Sequence, residues 1–145
     1  MNHLAVVRRA YLDLILSGEK TIESRLTKVR CAPFGRIERG DGVFFKEPSG
    51  PVRARARVAR VRIHENLTPG GVRDLRRRHN GRIHGERDYW SAKRDARYAV
   101  LIWLDHVEPA ADWSVKPRLH GRGWLCLTPG DAPPGAHGWW SACAT

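Results

Sequence analysis

Lys20, Glu23 and Arg25 lie within one short stretch, SGEKTIESR, at residues 17–25. If they converge on one pocket, the carboxylate and the guanidinium shift the pKa of the lysine in opposite directions. Lys20 could then bind a phosphate or donate a proton to an alkoxide leaving group. Glu23 could act as a general base where a dry pocket raises its pKa, or accept a hydrogen bond from the exocyclic amine of cytosine. The plainer alternative is an ion pair at a helix end, where the helix dipole favours Lys20.

A helix and a strand must position these residues. Apolar residues recur at helical spacing over residues 9–20, and Gly18 is a natural helix stop. Residues 21–29 then alternate, which predicts a strand. Its two faces carry Ile22, Ser24 and Leu26 on one side and Thr21, Glu23 and Arg25 on the other. Lys20 therefore lies at the turn, and Glu23 and Arg25 project from the same face of the strand.

The remaining segments complete a mixed pattern of helices and strands. Apolar runs and alternation indicate further strands at residues 3–9, 42–47, 52–64, 97–109 and 123–127. A helix is predicted over residues 67–81, with Thr68 as its cap and Pro69 at its first position. Val72 and Leu75 are the expected buried residues of this helix. The pattern predicts an α+β domain around a small, bent, mostly antiparallel β-barrel with flanking helices.

Arginines dominate the strand at residues 52–64. They alternate with small apolar residues until the phase slips after Val58, and a bulge near Ala59 would keep the apolar residues facing inward. Further arginines lie on the helix that follows. We expect one nucleic-acid-binding face from both elements, which carries Arg53, Arg55, Arg57, Arg60, Arg62, Arg73, Arg76 and Arg77. The simpler alternative is a solvated charged face.

The charge balance also points to a polyanion. The chain has 26 Lys and Arg against 15 Asp and Glu, a formal net charge of +11. Arginine predominates among the basic residues, and a guanidinium both forks onto phosphate and stacks on bases. Codon bias in a GC-rich genome is the alternative source of arginine. We favour RNA or DNA as the partner, and a single strand over a duplex.

Other classes of site and location are disfavoured. The three cysteines, Cys31, Cys126 and Cys143, are widely spaced and form no C-x-x-C motif, and no histidine spacing fits a metal, so we expect no metal and no cofactor. No apolar run is long enough to span a bilayer, and the first residues lack a signal-peptide core. We therefore expect a cytoplasmic protein without a membrane partner. At 145 residues, one domain is expected over residues 1–145.

The stretch LILSGEKTIESR resembles the signature of the ASCH domain, in the PUA-like superfamily. That signature is an apolar helix followed by G-x-K-x-x-E-x-R, which here falls on Gly18, Lys20, Glu23 and Arg25. The segments GDGVFF (40–45) and DYWSAKRDARYAVLIWL (88–104) resemble later parts of the family. The resemblance covers roughly residues 3–108. The C-terminal third has no family motif.

The resemblance implies a PUA-like β-barrel with flanking helices and a cleft lined by the signature. Members of the superfamily bind RNA or DNA, and several bind modified bases. This implies a pocket for an unpaired or modified base. The candidate pocket residues are Gly18, Lys20, Thr21, Glu23, Arg25 and Trp90. Tyr89, Trp90 and Trp103 could stack a base. Of these we expect Trp90 near the cleft and Trp103 in the core, with Glu65 or Glu86 as a further carboxylate that reaches the cleft.

The resemblance also implies an enzymatic alternative, and the sequence leaves open whether the protein is an enzyme. Some bacterial ASCH proteins remove the acetyl group from N4-acetylcytidine, and others are ribonucleases. In the amidohydrolases a lysine, a threonine three residues later and a distant glutamate form the catalytic set. Lys20 matches the lysine, but Glu23 occupies the threonine position. A metal-independent hydrolase that uses Lys20 and Glu23 is therefore the alternative to a binding module, and a partner-binding regulatory protein is a third hypothesis.

Overall fold

The structure is a computed structural model, and it describes residues 1–113 and 123–131. Within these ranges six strands and three helices follow one another along the chain, with a 3-10 turn at Pro129–Asp131. They are β1 (Asn2–Val6), α1 (Arg9–Ser17), β2 (Ile22–Thr27), β3 (Gly42–Lys46), β4 (Val52–His64), α2 (Pro69–Ile83), α3 (Arg87–Ala92), β5 (Tyr98–Trp113) and β6 (Trp124–Leu127). Cys143 lies outside the described residues.

The strands form one mixed sheet in the order β2-β5-β4-β3-β1-β6. Neighbouring strands are antiparallel except β1 and β3, which are parallel. The sheet curves so far that Arg25, on the edge strand β2, donates hydrogen bonds to the carbonyls of Val6 and Gly123, both at 3.2 Å, beside β1 and β6. The sheet is thus a half-barrel, and the predicted α+β class with a bent, mostly antiparallel barrel is confirmed.

The turn from α1 to β2 fixes the position of the signature. Gly18 ends α1 with φ +84°, a left-handed conformation that glycine adopts without strain, and its N–H donates to the carbonyl of Ile15 at 3.1 Å. The predicted helix stop at Gly18 is confirmed, although both elements are shorter than predicted. Lys20 therefore lies in the tight connection between α1 and β2.

The two faces of β2 meet different cores. Ile22 and Leu26 pack in an outer core beneath α2 and α3, together with Val72, Leu75 and Ile83 of α2. An inner core fills the half-barrel and includes Leu12 and Ile15 of α1. Because side chains alternate along a strand, Glu23 and Arg25 point to the inner side. The predicted division of β2 into two faces is confirmed.

The arginine-rich strand β4 is irregular. Its register with β5 shifts between Val58 and Arg60, which confirms the predicted bulge, and shifts again at two earlier positions. Val58 and Val61 pack on the inner core. Ile63 pairs with Val100 of the inner core and so shares the inner face as predicted, but it is 43% exposed. Ile63 is the penultimate residue of β4, where the strand extends beyond the part that packs on this core.

The helices on the outer face follow their end signals only in part. The Thr68 hydroxyl accepts from the N–H of Gly71 at 3.1 Å, so the predicted cap is confirmed, and α2 runs two residues past its predicted end to Ile83. Helix α3 was not predicted. It has six residues and no side-chain cap, so neither periodicity nor an end signal marks it. No helix in the described ranges is long and apolar enough to span a membrane.

Candidate functional site

A cavity of about 810 Å³ lies at the open seam of the half-barrel, between β2 and the edge formed by β1 and β6. This volume falls within the range of small-molecule sites, about 300–1,000 Å³. Charged signature residues and aromatic rings share its wall. They include Lys20, Glu23, Arg25, Tyr11, Tyr89 and Trp124. The structure therefore brings the three charged residues of the signature together around one cavity.

Lys20 forms part of the inner wall of this cavity and is only 3% exposed. Its ammonium donates to the carbonyls of Ile22 at 2.9 Å and Ile83 at 2.7 Å, and lies 3.7 Å from Oε1 of Glu23. Burial lowers the pKa of Lys20, the Glu23 carboxylate opposes this shift, and Arg25 adds to it. Since two carbonyls hold the ammonium, Lys20 ties α2 to β2 and orients Glu23.

Glu23 is held as a carboxylate although it is almost fully buried. Its Oε1 accepts from the N–H of Ser24 at 2.9 Å, and its Oε2 accepts from Arg25 at 3.4 Å. Burial alone would raise the pKa of Glu23, but the charges of Lys20 and Arg25 outweigh it and lower the pKa. The raised pKa that a general base would need is therefore absent. The arrangement favours Glu23 as a hydrogen-bond acceptor.

Arg25 is the most accessible of the three charged residues, with 19% of its side chain exposed. Its guanidinium lies over the ring of Trp124, 5.1 Å from the ring centroid. Its terminal nitrogens bond across the seam, but the buried Nε–H has no acceptor within the described residues. Arg25 thus closes the seam, and the exposed part of its side chain lines the cavity.

Two tyrosines, Tyr11 and Tyr89, form an aromatic part of the cavity wall. The Tyr89 ring meets the Tyr11 ring edge to face at a centroid distance of 6.4 Å. The Tyr89 hydroxyl lies 2.7 Å from the Ser24 hydroxyl and donates to the Ser24 carbonyl at 3.2 Å. Burial raises the pKa of Tyr89, so its phenol stays protonated at neutral pH. The cavity therefore combines flat apolar walls with fixed donors and acceptors.

A buried histidine positions Trp124. The indole N–H of Trp124 donates to Nδ1 of His3 at 3.1 Å, and Nε2 of His3 lies 2.8 Å from Asp41. Because Nδ1 accepts, Nε2 carries the proton and donates to Asp41. His3 is fully buried on β1, whereas Trp124 is on β6. This chain of hydrogen bonds orients the indole under Arg25.

The burial of His3 makes stability depend on pH. Burial lowers the pKa of His3 more than Asp41 raises it, so folding favours the neutral ring. As pH falls below about 6.5, the unfolded chain binds a proton that the folded chain resists, and stability is lost. We expect wild type to lose more free energy of unfolding between pH 7 and pH 5 than His3→Gln, with a slope difference of at most about 1.4 kcal/mol per pH unit. Urea denaturation at both pH values measures this, and equal losses in the two proteins would contradict it.

The other predicted pocket residues lie elsewhere. Gly18 is the cap of α1, and Thr21 bonds through its backbone to Arg82 and Leu104. The prediction that Trp90 lies near the cleft is wrong, because it is 3% exposed in the outer core and its indole donates to Asn80. Trp103, predicted as core, is only partly buried there. Tyr89, adjacent to Trp90, lines the cavity instead. Which of the two aromatic side chains faces the cavity depends on the orientation of helix α3, which was not predicted.

The predicted arginine face is divided into two groups. Arg53 pairs with Asp13 at 3.4 Å and Glu47 at 3.5 Å, and Arg55 pairs with Glu108 at 2.8 Å. On α2, Arg77 and Arg78 share Asp74, while Arg73 and Arg76 are exposed. Arg57 shares a face with the first group, and Arg60 and Arg62 are exposed beside α2. Carboxylates thus neutralise part of the predicted face.

The two extra carboxylates lie outside the cavity wall. Glu86 pairs with Arg8 at 3.3 Å, and Glu65 pairs with Arg30 at 3.6 Å. Both arginines line the cavity. These exposed glutamates therefore contact the cavity only indirectly, by pairing with arginines of its wall. Across residues 1–113 and 123–131, no group of three or more His, Cys, Asp or Glu residues could hold a metal ion.

A curved half-barrel with a charged and aromatic cavity at its seam defines a small α+β half-barrel protein. Solved structures of similar fold define the type of fold more narrowly. The ASCH protein of Zymomonas mobilis matches with a TM-score of 0.68 and 14% identity, over 90% of each chain. A mutant of that protein matches with a TM-score of 0.67 and 15% identity, over 90% of this chain and 92% of the mutant. A hypothetical protein matches with a TM-score of 0.51 and 19% identity, over 76% of this chain and all of its own.

The chain therefore has the fold of the ASCH proteins, and the resemblance drawn from the signature is confirmed at the level of the fold. No family model matches the sequence. No curated protein matches it either. At these identities the similarity extends to the fold alone.

Proposed function

We propose that this protein binds single-stranded RNA or DNA and receives an unpaired or modified base in the cavity at the seam. The observation that carries the proposal is the convergence of Glu23 and Arg25 between aromatic rings in a cavity of about 810 Å³. A nucleobase is a flat ring with hydrogen-bonding groups along its edge, and this cavity supplies both kinds of partner. The ASCH fold and the net charge of +11 support the same class of ligand.

The charged and aromatic side chains of the cavity have separate roles in binding a base. The Glu23 carboxylate accepts from an exocyclic amine, as it would from cytosine. The guanidinium of Arg25, which lines the cavity, donates to a base carbonyl or ring nitrogen. Tyr11 and Tyr89 present ring surfaces, and stacking on such surfaces is worth about 1–3 kcal/mol per base. Trp124, which is 5% exposed, supports the Arg25 guanidinium from below. Lys20, which backbone carbonyls hold, keeps the carboxylate ionised and in place.

Binding to labelled oligonucleotides tests the proposal. Purified protein is titrated into single-stranded RNA, single-stranded DNA and duplex DNA at about 50 and 200 mM salt, and gels of the same samples show whether the strands stay intact. We expect the single strands to bind more tightly than the duplex, with at least about tenfold weaker binding at the higher salt. Absence of binding to all three ligands would contradict the proposal and would favour a partner-binding protein whose charge is compositional.

A metal-independent hydrolase acting on RNA or a modified nucleoside is the second candidate. The observation that favours it is the lysine with a lowered pKa beside a carboxylate at 3.7 Å. Such a lysine is a possible proton donor to a leaving group. For this candidate, strand cleavage or release of acetate from N4-acetylcytidine should occur in wild type and vanish in Lys20→Met, with circular dichroism verifying that the variant is folded. Intact substrates with wild-type protein would exclude it.

A further inference from the structure

The strand register places two arginines on the outer face of the sheet. Arg60 is paired with Trp103, and Trp103 with Ile22; Arg62 is paired with Leu101. Paired residues of neighbouring strands project to the same face. Since Ile22 and Leu101 lie beneath α2 and α3 in the outer core, Arg60 and Arg62 flank α2.

Helix α2 adds three basic residues beside them, Arg78, His79 and Arg82. The His79 ring meets the Trp103 ring edge to face at 5.8 Å, and the Arg60 guanidinium lies 4.6 Å from the centroid of the same ring. Burial lowers the pKa of His79, and the charges of Arg62, Arg78, Arg60 and Arg82 lower it further. Four guanidinium groups, two from β4 and two from α2, therefore lie close enough to His79 to lower its pKa. We call Arg60, Arg62, Arg78, His79 and Arg82 the outer basic face.

The positive charge of the outer basic face is largely uncompensated. No described carboxylate lies within ion-pair distance of Arg60, Arg62 or Arg82. Arg78 shares the single carboxylate of Asp74 with Arg77. The first half of β4 differs, because Arg53 and Arg55 each have carboxylate partners. Several exposed guanidinium groups that lack carboxylate partners fit the consecutive phosphates of a nucleic-acid strand, because arginine binds phosphate in a forked geometry.

We propose that the outer basic face binds consecutive phosphates of a single-stranded nucleic acid, and that the first half of β4 does not. The identity of the polyanion rests on the function proposed above. The C-terminal end of α2 joins the two sites, because Arg82 belongs to this face and the next residue, Ile83, lines the cavity. A strand whose base occupies the cavity can therefore continue over the end of α2 onto this face.

An oligonucleotide that lacks bases isolates the phosphate contacts. A single strand in which every base is replaced by an abasic site is titrated with wild type, with Arg62→Gln/Arg82→Gln and with the control Arg94→Gln/Arg97→Gln. The control removes the same charge from exposed arginines between α3 and β5, outside the face and the cavity wall. Affinity is measured at several salt concentrations, and circular dichroism verifies that each variant is folded.

We expect Arg62→Gln/Arg82→Gln to reduce the slope of log affinity against log salt by about 1.4, since each phosphate contact on a single strand contributes about 0.7. The affinity at low salt should fall roughly tenfold, with little change in the control. Equal losses in both double variants, no loss in either, or no binding of the abasic strand by wild type would overturn the inference. Equal affinity for abasic and base-containing strands would instead contradict only the proposed base pocket.

Discussion

Glu23→Leu is expected to lower the free energy of unfolding by about 3–5 kcal/mol. The substitution leaves the ammonium of Lys20 almost fully buried without its carboxylate neighbour. Arg25 loses the same partner but keeps its bonds to the carbonyls of Val6 and Gly123. An uncompensated buried charge is far more destabilising than the absence of the whole pair. Urea denaturation monitored by tryptophan fluorescence measures the change.

A double-mutant cycle separates the ion pair from the lost packing. Lys20→Met removes the buried ammonium, so we expect Lys20→Met/Glu23→Leu to be less destabilised than the sum of the two single variants. A coupling free energy of about 1–3 kcal/mol is expected for groups in direct contact. Additive effects, or a loss below about 1 kcal/mol in Glu23→Leu, would contradict the description of Lys20 and Glu23 as a coupled buried pair.

Arg25→Met should weaken the binding of a base-containing single strand by about 10- to 100-fold. Arg25 is the most exposed charged residue of the signature, it covers the ring of Trp124, and it lines the cavity. Methionine keeps much of the apolar stem but removes the charge and the donors. The affinities of wild type and variant are compared by fluorescence anisotropy.

The abasic strand and Arg94→Met serve as controls for this variant. Since the proposed role of Arg25 is contact with a base, the abasic strand should lose little affinity. Arg94→Met removes one charge from an exposed position outside the cavity wall, so it should bind both strands nearly as wild type does. An equal loss for both strands in Arg25→Met would show that its charge acts only on the phosphates. Thermal unfolding must verify that Arg25→Met remains folded, because the arginine also closes the seam.

Local signals in the sequence predicted several features of the fold, including the end of the helix that precedes the signature. Gly18 ends α1, Thr68 caps α2, and the phase slip after Val58 marks a bulge. Each of these signals depends on the conformational preference of one residue or on a short alternation. The two faces of β2, and hence the common direction of Glu23 and Arg25, followed from the same local rule.

The surroundings of the signature depend on contacts between distant segments, which such rules do not reach. Trp124 is held in the cavity wall by its hydrogen bond to His3, which lies 121 positions away in the chain. Tyr89 rather than Trp90 faces the cavity because of how a short uncapped helix packs. The partners of Arg53 and Arg55 likewise come from other elements. The wall of the cavity and the distribution of free charge therefore required the tertiary structure.

An NMR titration with uncharged nucleosides tests most directly whether the cavity at the seam receives a base. Without a phosphate, a nucleoside has little attraction to the outer basic face. We expect cytidine or a modified nucleoside to shift the Trp124 indole signal and the Ser24 amide signal, because the Ser24 amide donates to Glu23. The indole signals of Trp90 and Trp103 should shift little. Unchanged Trp124 and Ser24 signals with every nucleoside at millimolar concentration, or shifts confined to Trp103, would contradict the proposed base pocket.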